Sequence, residues 1–272
     1  MSRSSSGSGS GSGSGSARRS PARAATSAAT PPASARVRAE WSNRIAAEYG
    51  SAAITQHFVL WLIQVGASPD LIDDGLAIVK DELTHAALSA EVHHAAGGDA
   101  PPALDRAGLA LPRRADVALE LDLLRAALQV FCLNETVAVP LFAHLRASTT
   151  VPVARRALDR ILKDEVRHRD FGWACLDWMA TTALAPALPG LIAAELPALF
   201  GQLERNYGGT DGGADPTADI MVADERAWGL APAGDYATIL AATFDRDYRP
   251  RFTARGVDPG AAWAARGAAG SL

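Results

Sequence analysis

From Trp41 onward, apolar and polar residues mix through runs of roughly 25 to 35 residues rich in Ala, Leu, Arg and Glu, and clusters of Gly and Pro separate the runs. Strand-like stretches are nearly absent, so the pattern predicts long helices. A first helix is expected from about Val37 to Val65, stopping at Gly66. A second is expected to start with Ser68 as its cap and Pro69 in its first turn, and to end at Gly97-Gly98. After a connection holding Pro101, Pro102 and Pro112, a third is expected over about Ala115 to Ala147. A fourth opens near Thr150 and Pro152 and fades before Pro186. Two shorter helical segments follow, near 190–207 and 216–248, separated by Gly208-Gly209 and Gly212-Gly213. The fold class is all-α.

The start of the chain differs. Residues 4–16 are only Ser and Gly, and the next twenty lack an aromatic residue, a composition that cannot repay the entropy of ordering. The expected division is a disordered tail over 1–36, a helical bundle over 37–183 and a C-terminal helical extension packed on it over 184–272. A transit peptide shares the tail's Arg-rich, acid-poor composition, whereas no apolar run follows its arginines to make a secretion signal. The stretches Ala53 to Gly66 and Ala180 to Phe200 are too short or too interrupted to span a membrane, so no membrane span is expected. Six of the 26 basic residues lie before residue 39, leaving 20 against 30 acids, a balance that disfavours nucleic acid as a partner. Two cysteines cannot supply a four-cysteine zinc site or a rubredoxin centre, and a reducing, cytoplasmic setting fits them.

Chemistry concentrates in a repeat. The chain's only two lysines open Lys80-Asp81-Glu82-Leu83-Thr84-His85 and Lys163-Asp164-Glu165-Val166-Arg167-His168, 83 residues apart. On a helix, i and i+3 share a face one turn apart, so each Glu and His can reach one interior point and form half of a metal site. A dinuclear site also needs one carboxylate from each of two further helices, so that four carboxylates balance two divalent cations. The candidates are Glu48, which lies 34 residues before Glu82, and Glu135, which lies 30 before Glu165 in the apolar run Leu128 to Phe142. Counted from the turn near 149–151, Glu135 and Glu165 stand level, roughly 21 Å along their helices. Glu48 and Glu82 stand at roughly 27 and 20 Å from theirs, a mismatch that loop shape or stagger must absorb.

Over residues 37–183 this set resembles the ligands of the ferritin-like superfamily of carboxylate-bridged di-iron or di-manganese proteins: Glu48, Glu82 with His85, Glu135, and Glu165 with His168. The resemblance implies an antiparallel four-helix bundle with a long crossover between its second and third helices, and two iron ions at its centre, with manganese or a mixed pair as variants. Asp164 to His168 is also similar to the Asp-Glu-x-Arg-His signature of bacterial multicomponent monooxygenase hydroxylases. That likeness implies that Asp81 and Asp164 hydrogen-bond the free nitrogen of the opposite motif's histidine, with Arg167 pairing to an aspartate; exposed ion pairs are the alternative.

Several branches fit poorly. The radical tyrosine of small-subunit ribonucleotide reductases would fall at Ser89, and the extra histidine of arylamine N-oxygenases at Ile161. The chain cannot build the rubredoxin domain of rubrerythrins, and about 85 residues beyond the fourth helix argue against a standard ferritin cage. The implied activity is a dioxygen-activating oxidase or oxygenase acting on a small substrate, with dioxygen or peroxide as co-reactant; the electron donor is not written in the sequence, and a homodimer is allowed. A ferroxidase, a manganese catalase-like enzyme, or a metal-free helical interaction protein with vestigial motifs are the alternatives.

Among neighbouring residues, Cys132 shares Glu135's face by helical spacing and is expected either at the site or, more often, in the core. Pro140 should kink the third helix and open its ladder near Glu135. His57 and His144 fall on the wrong faces to be ligands, His93 and His94 are expected to be solvated, and Trp173 and Trp178 are expected to be core aromatics. Ala52, Thr55, Ser89, Phe131 and Ala138 are the expected pocket residues.

Overall fold

In the computed structural model of the chain, the described residues are 30–207 and 221–266. They are helical, with no strand among them. Most of the expected tail, the Gly208-Gly209 and Gly212-Gly213 pairs and the start of the expected 216–248 segment lie outside the described residues. The described residues from Pro31 on form one compact unit.

Helix α1, Ala35–Gln64, starts two residues earlier than expected because Ser34 caps it, its Oγ accepting from the Val37 N–H at 3.2 Å. Ala35 and Arg36, assigned to the tail by composition, are therefore helical. Helix α2 spans Pro69–Ala95, with Pro69 in its first turn. Gly66 (φ +74°) and Gly97 (φ +83°) take the left-handed conformation just past α1 and α2.

The connection to the third helix holds a 3-10 turn at Arg106–Leu109 and runs over α1, where the Leu111 N–H donates to His57 Nδ1 at 2.9 Å. Helix α3 runs continuously over Leu119–Ser148. It starts four residues later than expected, and the left-handed φ of +58° at Asp116 shows why the earlier residues cannot be helical. Over Ala127–Glu135 it widens to π hydrogen bonding, so the departure from α register lies before Pro140. Helix α4 spans Pro152–Met179.

The remainder comprises α5 (Leu188–Tyr207), α6 (Ala223–Ala227), α7 (Ala233–Thr243), a π turn at Phe244–Tyr248, α8 (Arg249–Thr253) and α9 (Gly260–Ala264). The break between α6 and α7, at Gly229 (φ +87°) and Pro232, splits what composition joined.

Helix α1 packs along α2, α2 along α4 and α4 along α3, while α3 returns to α1 through Leu119–Ala126. At the centre Phe58 of α1, Phe131 of α3 and Phe171 of α4 form a ring triad with centroids 4.9 to 6.0 Å apart. Glycine permits the close approach: a Cβ at Gly172 would stand 2.6 Å from Phe131 Cβ and 2.7 Å from the Cys132 nitrogen. A second aromatic cluster joins Phe200, Phe244, Tyr248, Phe252 and Trp263. From it the Tyr248 hydroxyl donates to the Leu133 carbonyl at 2.6 Å, giving a buried acceptor inside the π stretch its partner.

Leu119–Ser148 is long and apolar enough, by length and composition, to cross a membrane, a helix the sequence reading did not test; 56% of its most apolar window is buried inside the protein. That apolarity serves packing against α4 and the C-terminal helices.

Candidate metal centre

The two motifs sit on α2 and α4, which pack against each other, and their histidine rings face across the interface with centroids 5.6 Å apart. Both histidines are fully buried, as are Glu82 and Glu165. Both rings turn Nδ1 inward. His85 Nδ1 lies 3.5 Å from Glu82, 3.7 Å from Glu48 and 3.9 Å from Glu165. His168 Nδ1 lies 3.3 Å from Glu82 and 3.8 Å from Glu165. Two groups of potential ligand atoms gather within 4.8 Å of one another: Glu48, Glu82 and His85, and Glu82, Glu135 and His168. Glu82 belongs to both. Glu165 stands within reach of both histidines and beside Glu135. All six residues named from sequence are thus brought together. The expected mismatch of Glu48 is taken up because Glu48 meets His85, which lies one turn beyond Glu82 and so roughly 24 Å from the α1–α2 turn.

Outward, each histidine uses Nε2 on the other motif's aspartate: His85 with Asp164 at 3.2 Å, His168 with Asp81 at 3.3 Å. Both aspartates are buried, unlike the exposed-pair alternative, and two half-exposed arginines cover them. Arg167 binds Asp81, as the sequence suggested for one aspartate. Arg160, which sequence reasoning missed, binds Asp164 and reaches Asp81 at 3.4 Å. Its i,i+4 spacing to Asp164 was the available signal. A carboxylate on the outer nitrogen fixes the ring and leaves the inner nitrogen free to accept a proton or bind a cation. Ser51, also missed, donates to Glu82 Oε1 at 3.0 Å.

Four atoms at the convergence point, Glu82 Oε2, His85 Nδ1, Glu165 Oε2 and His168 Nδ1, are buried and have no hydrogen-bond partner. Orphaned buried polar atoms cost about 1–3 kcal/mol each, so four of them at one place call for an occupant. Ligand bonds of about 2.0–2.2 Å put ligand atoms on a common ion on the order of 3–4 Å apart, matching the separations here. The donor set, carboxylate and imidazole without thiolate, suits a divalent first-row metal ion.

The electrostatics show the strain of gathering four carboxylates. Burial, with Glu82 close by, pushes Glu48 up to about 7. Burial and Glu82 raise Glu135, and burial with Glu135 holds Glu165 well above the usual carboxylate range. Burial would also raise Glu82, but His168 and His85 outweigh it and lower it. Burial pulls His85 down, yet Glu48 and Glu82 raise it to about 10. Asp164 is lowered because Arg160 and His85 overcome its burial. Protons thus compensate carboxylate charge where cations could.

A cavity of about 350 Å³ opens on Glu48, Glu82, Glu135 and Glu165 from between α1 and α3. Of the expected pocket residues only Ala138 lines it. Phe131 and Ala52 are buried elsewhere, and the Thr55 and Ser89 hydroxyls are buried without partners. Cys132 lies in the apolar core and not on the cavity, since in a π turn a residue three positions before Glu135 no longer shares its face; burial raises its thiol. Neither His57 nor His144 approaches the site: His57 holds the crossover, and His144 pairs with Asp235 at 2.9 Å. His93 corrects an expectation, being buried, with Nδ1 on the Arg38 carbonyl at 2.9 Å and its ring against Gly98. His94 is exposed as expected. Trp173 is a core residue whose indole donates to Thr136 at 3.1 Å, and Trp178 is only partly buried.

Comparison of the chain with protein-family models, curated proteins and solved structures finds no match in any of the three.

Proposed function

We propose that the chain is a ferritin-like protein that holds two iron ions between α1, α2, α3 and α4 and oxidises a small organic substrate with dioxygen. The carrying observation is the set of four buried, partnerless carboxylate and imidazole atoms on one point, backed by crossed Asp–His pairs. Glu48 and His85 would serve one ion, Glu135 and His168 the other, with Glu82 and Glu165 shared between them. Four carboxylates cancel the charge of two divalent ions, which lets the pair sit away from water. When bound, two ferrous ions would supply electrons to dioxygen.

The chain's own residues do the rest. Asp81 and Asp164 hold each imidazole with Nδ1 inward. Glutamates with raised proton affinity can take up or release a proton at the site. The cavity on the four glutamates favours a substrate beyond the metals, and so an oxidase or oxygenase over a ferroxidase or a manganese catalase-like enzyme. Anaerobic loading with ferrous iron followed by elemental analysis tests the reading: about two ions per chain are expected, with dioxygen consumed on aeration. A chain that takes up neither iron nor manganese would be a metal-free helical protein.

A further inference from the structure

The cavity also carries an assignment of substrate class. It lies between α1 and α3 at the small end of small-molecule sites, and Ile54, Val130, Ala138 and Phe142 give it apolar walls. Arg44 lines it too, one helical turn before Glu48 on α1 and roughly 6 Å along the axis.

Arg44 is only 7% exposed. Its Nε donates to Glu40 at 3.2 Å and its Nη2 to the Gly229 carbonyl at 2.9 Å, while its guanidinium lies 4.4 Å from the centre of the Trp41 ring. The Tyr236 hydroxyl of α7 lies within hydrogen-bonding reach of the same guanidinium. Nη1 is buried with no hydrogen-bond partner. Among the described residues, the other buried side-chain atoms in that condition are the four at the candidate metal centre and the Thr55 and Ser89 hydroxyls. Outside the candidate metal centre, Arg44 therefore carries the one buried cationic donor atom left over, and Arg44 is among the residues lining a cavity that also reaches the carboxylate cluster. A guanidinium donates only, is always charged, and prefers the planar oxygens of a carboxylate. Glu40 is one-third exposed and takes only Nε, so it leaves room for a second anion.

We propose that this cavity takes a small organic monocarboxylate, its carboxylate accepting from the Arg44 guanidinium, its apolar body against Ile54, Val130, Ala138 and Phe142, and its far end toward the four glutamates. The assignment rests on the two-metal reading, because it is the metals that would make the glutamate end of the cavity the reacting end.

The full chain is loaded with manganese(II), uptake is counted by elemental analysis, and the loaded protein is titrated calorimetrically with straight-chain carboxylates of four to eight carbons, benzoate, and the matching amides and alcohols. At least one carboxylate is expected to bind about tenfold or more tightly than its amide and alcohol. Arg44→Met should weaken that carboxylate at least about tenfold while manganese content stays constant. If no carboxylate shows the preference, or if Arg44→Met leaves it intact so that the carboxylate must sit on the metals, the assignment is wrong. Arg44 also holds Glu40 and Gly229, so Ala138→Phe provides an independent arm: it fills the cavity without touching the guanidinium. Loss of carboxylate binding with manganese retained supports the assignment, and undiminished binding overturns it. Failure of the unaltered chain to take up manganese overturns the two-metal reading and this assignment together, whereas uptake without carboxylate preference overturns this assignment alone.

Discussion

The seam between α3 and α4 and the seam between α1 and α3 border the same cluster of glutamates, yet one is shut and the other open. Against α4, the backbone of α3 approaches until only a glycine fits, and the rings of Phe131 and Phe171 meet edge to face. Against α1, the same helix leaves a cavity of about 350 Å³ with a buried arginine on its wall. The difference separates two tasks. The shut seam fixes where Glu135 and Glu165 stand, and the open seam leaves Glu48 and Glu135 a side from which something can approach.

The largest expected effect tests whether both seams serve one centre. Glu82→Ala removes the carboxylate that both ligand groups share, and metal uptake measured by elemental analysis should fall from about two ions to about none. Retained stoichiometry would refute the centre. Next, Gly172→Ala forces a methyl group onto the backbone of α3; a loss of about 1–3 kcal/mol, seen as a melting temperature several degrees lower, is expected. An unchanged melting temperature would mean that the seam is not tight. Asp81→Asn and Asp164→Asn release one imidazole each and should weaken metal affinity about 10- to 100-fold in competition titrations, by similar factors if the halves are equivalent.

The pH dependence of the metal-free chain should be milder. Glu48 and His85 hold protons more tightly folded than unfolded, at about 7 against 4.5 and about 10 against 6.5. Their contribution is whole below the lower value of each and is lost as pH rises through the higher. The melting temperature should therefore fall as pH climbs from about 5 through 7 and beyond, while metal affinity rises over the same window as protons are displaced. A melting temperature that rises across that window would contradict the sign. Smallest of all, Arg160→Ala removes a half-exposed partner of Asp164 and should cost only a few-fold in affinity, with stability changed by no more than about 1 kcal/mol.

Most of the centre was legible because it is periodic. The paired Asp-Glu-x-x-His segments, and Glu135 in an apolar run, carry their facing directions in their spacing, and helix geometry turns that spacing into a level. Glycine and proline marked the ends of α1 and α2 for the same local reason. What was not legible depends on departures from local rules. The π stretch over Ala127–Glu135 has no signature in composition, and it takes Cys132 off the face of Glu135. Arg44 was passed over because long charged side chains are usually solvated, although it stands one turn from Glu48 on the same face. His93 misled in the same way: it neighbours terminating glycines, but Gly98 leaves room for its ring to fold inward. The break of the last segment at Gly229 depends on what surrounds it, since Leu158 and Thr149 crowd that position from other helices.

That break ties the far end of the polypeptide to its beginning. The carbonyl oxygens of Trp228 and Gly229 receive the Trp41 indole at 2.9 Å and the Arg44 Nη2 at 2.9 Å, and Gly229 presents its carbonyl there in a conformation that side-chain-bearing residues rarely adopt. Peeling those two residues away would strip one more bond from an interior guanidinium and uncover an indole. The late helices are thus the keystone that seats Arg44, and shortening the protein after its fourth long helix would disturb the centre without touching a single one of its ligands.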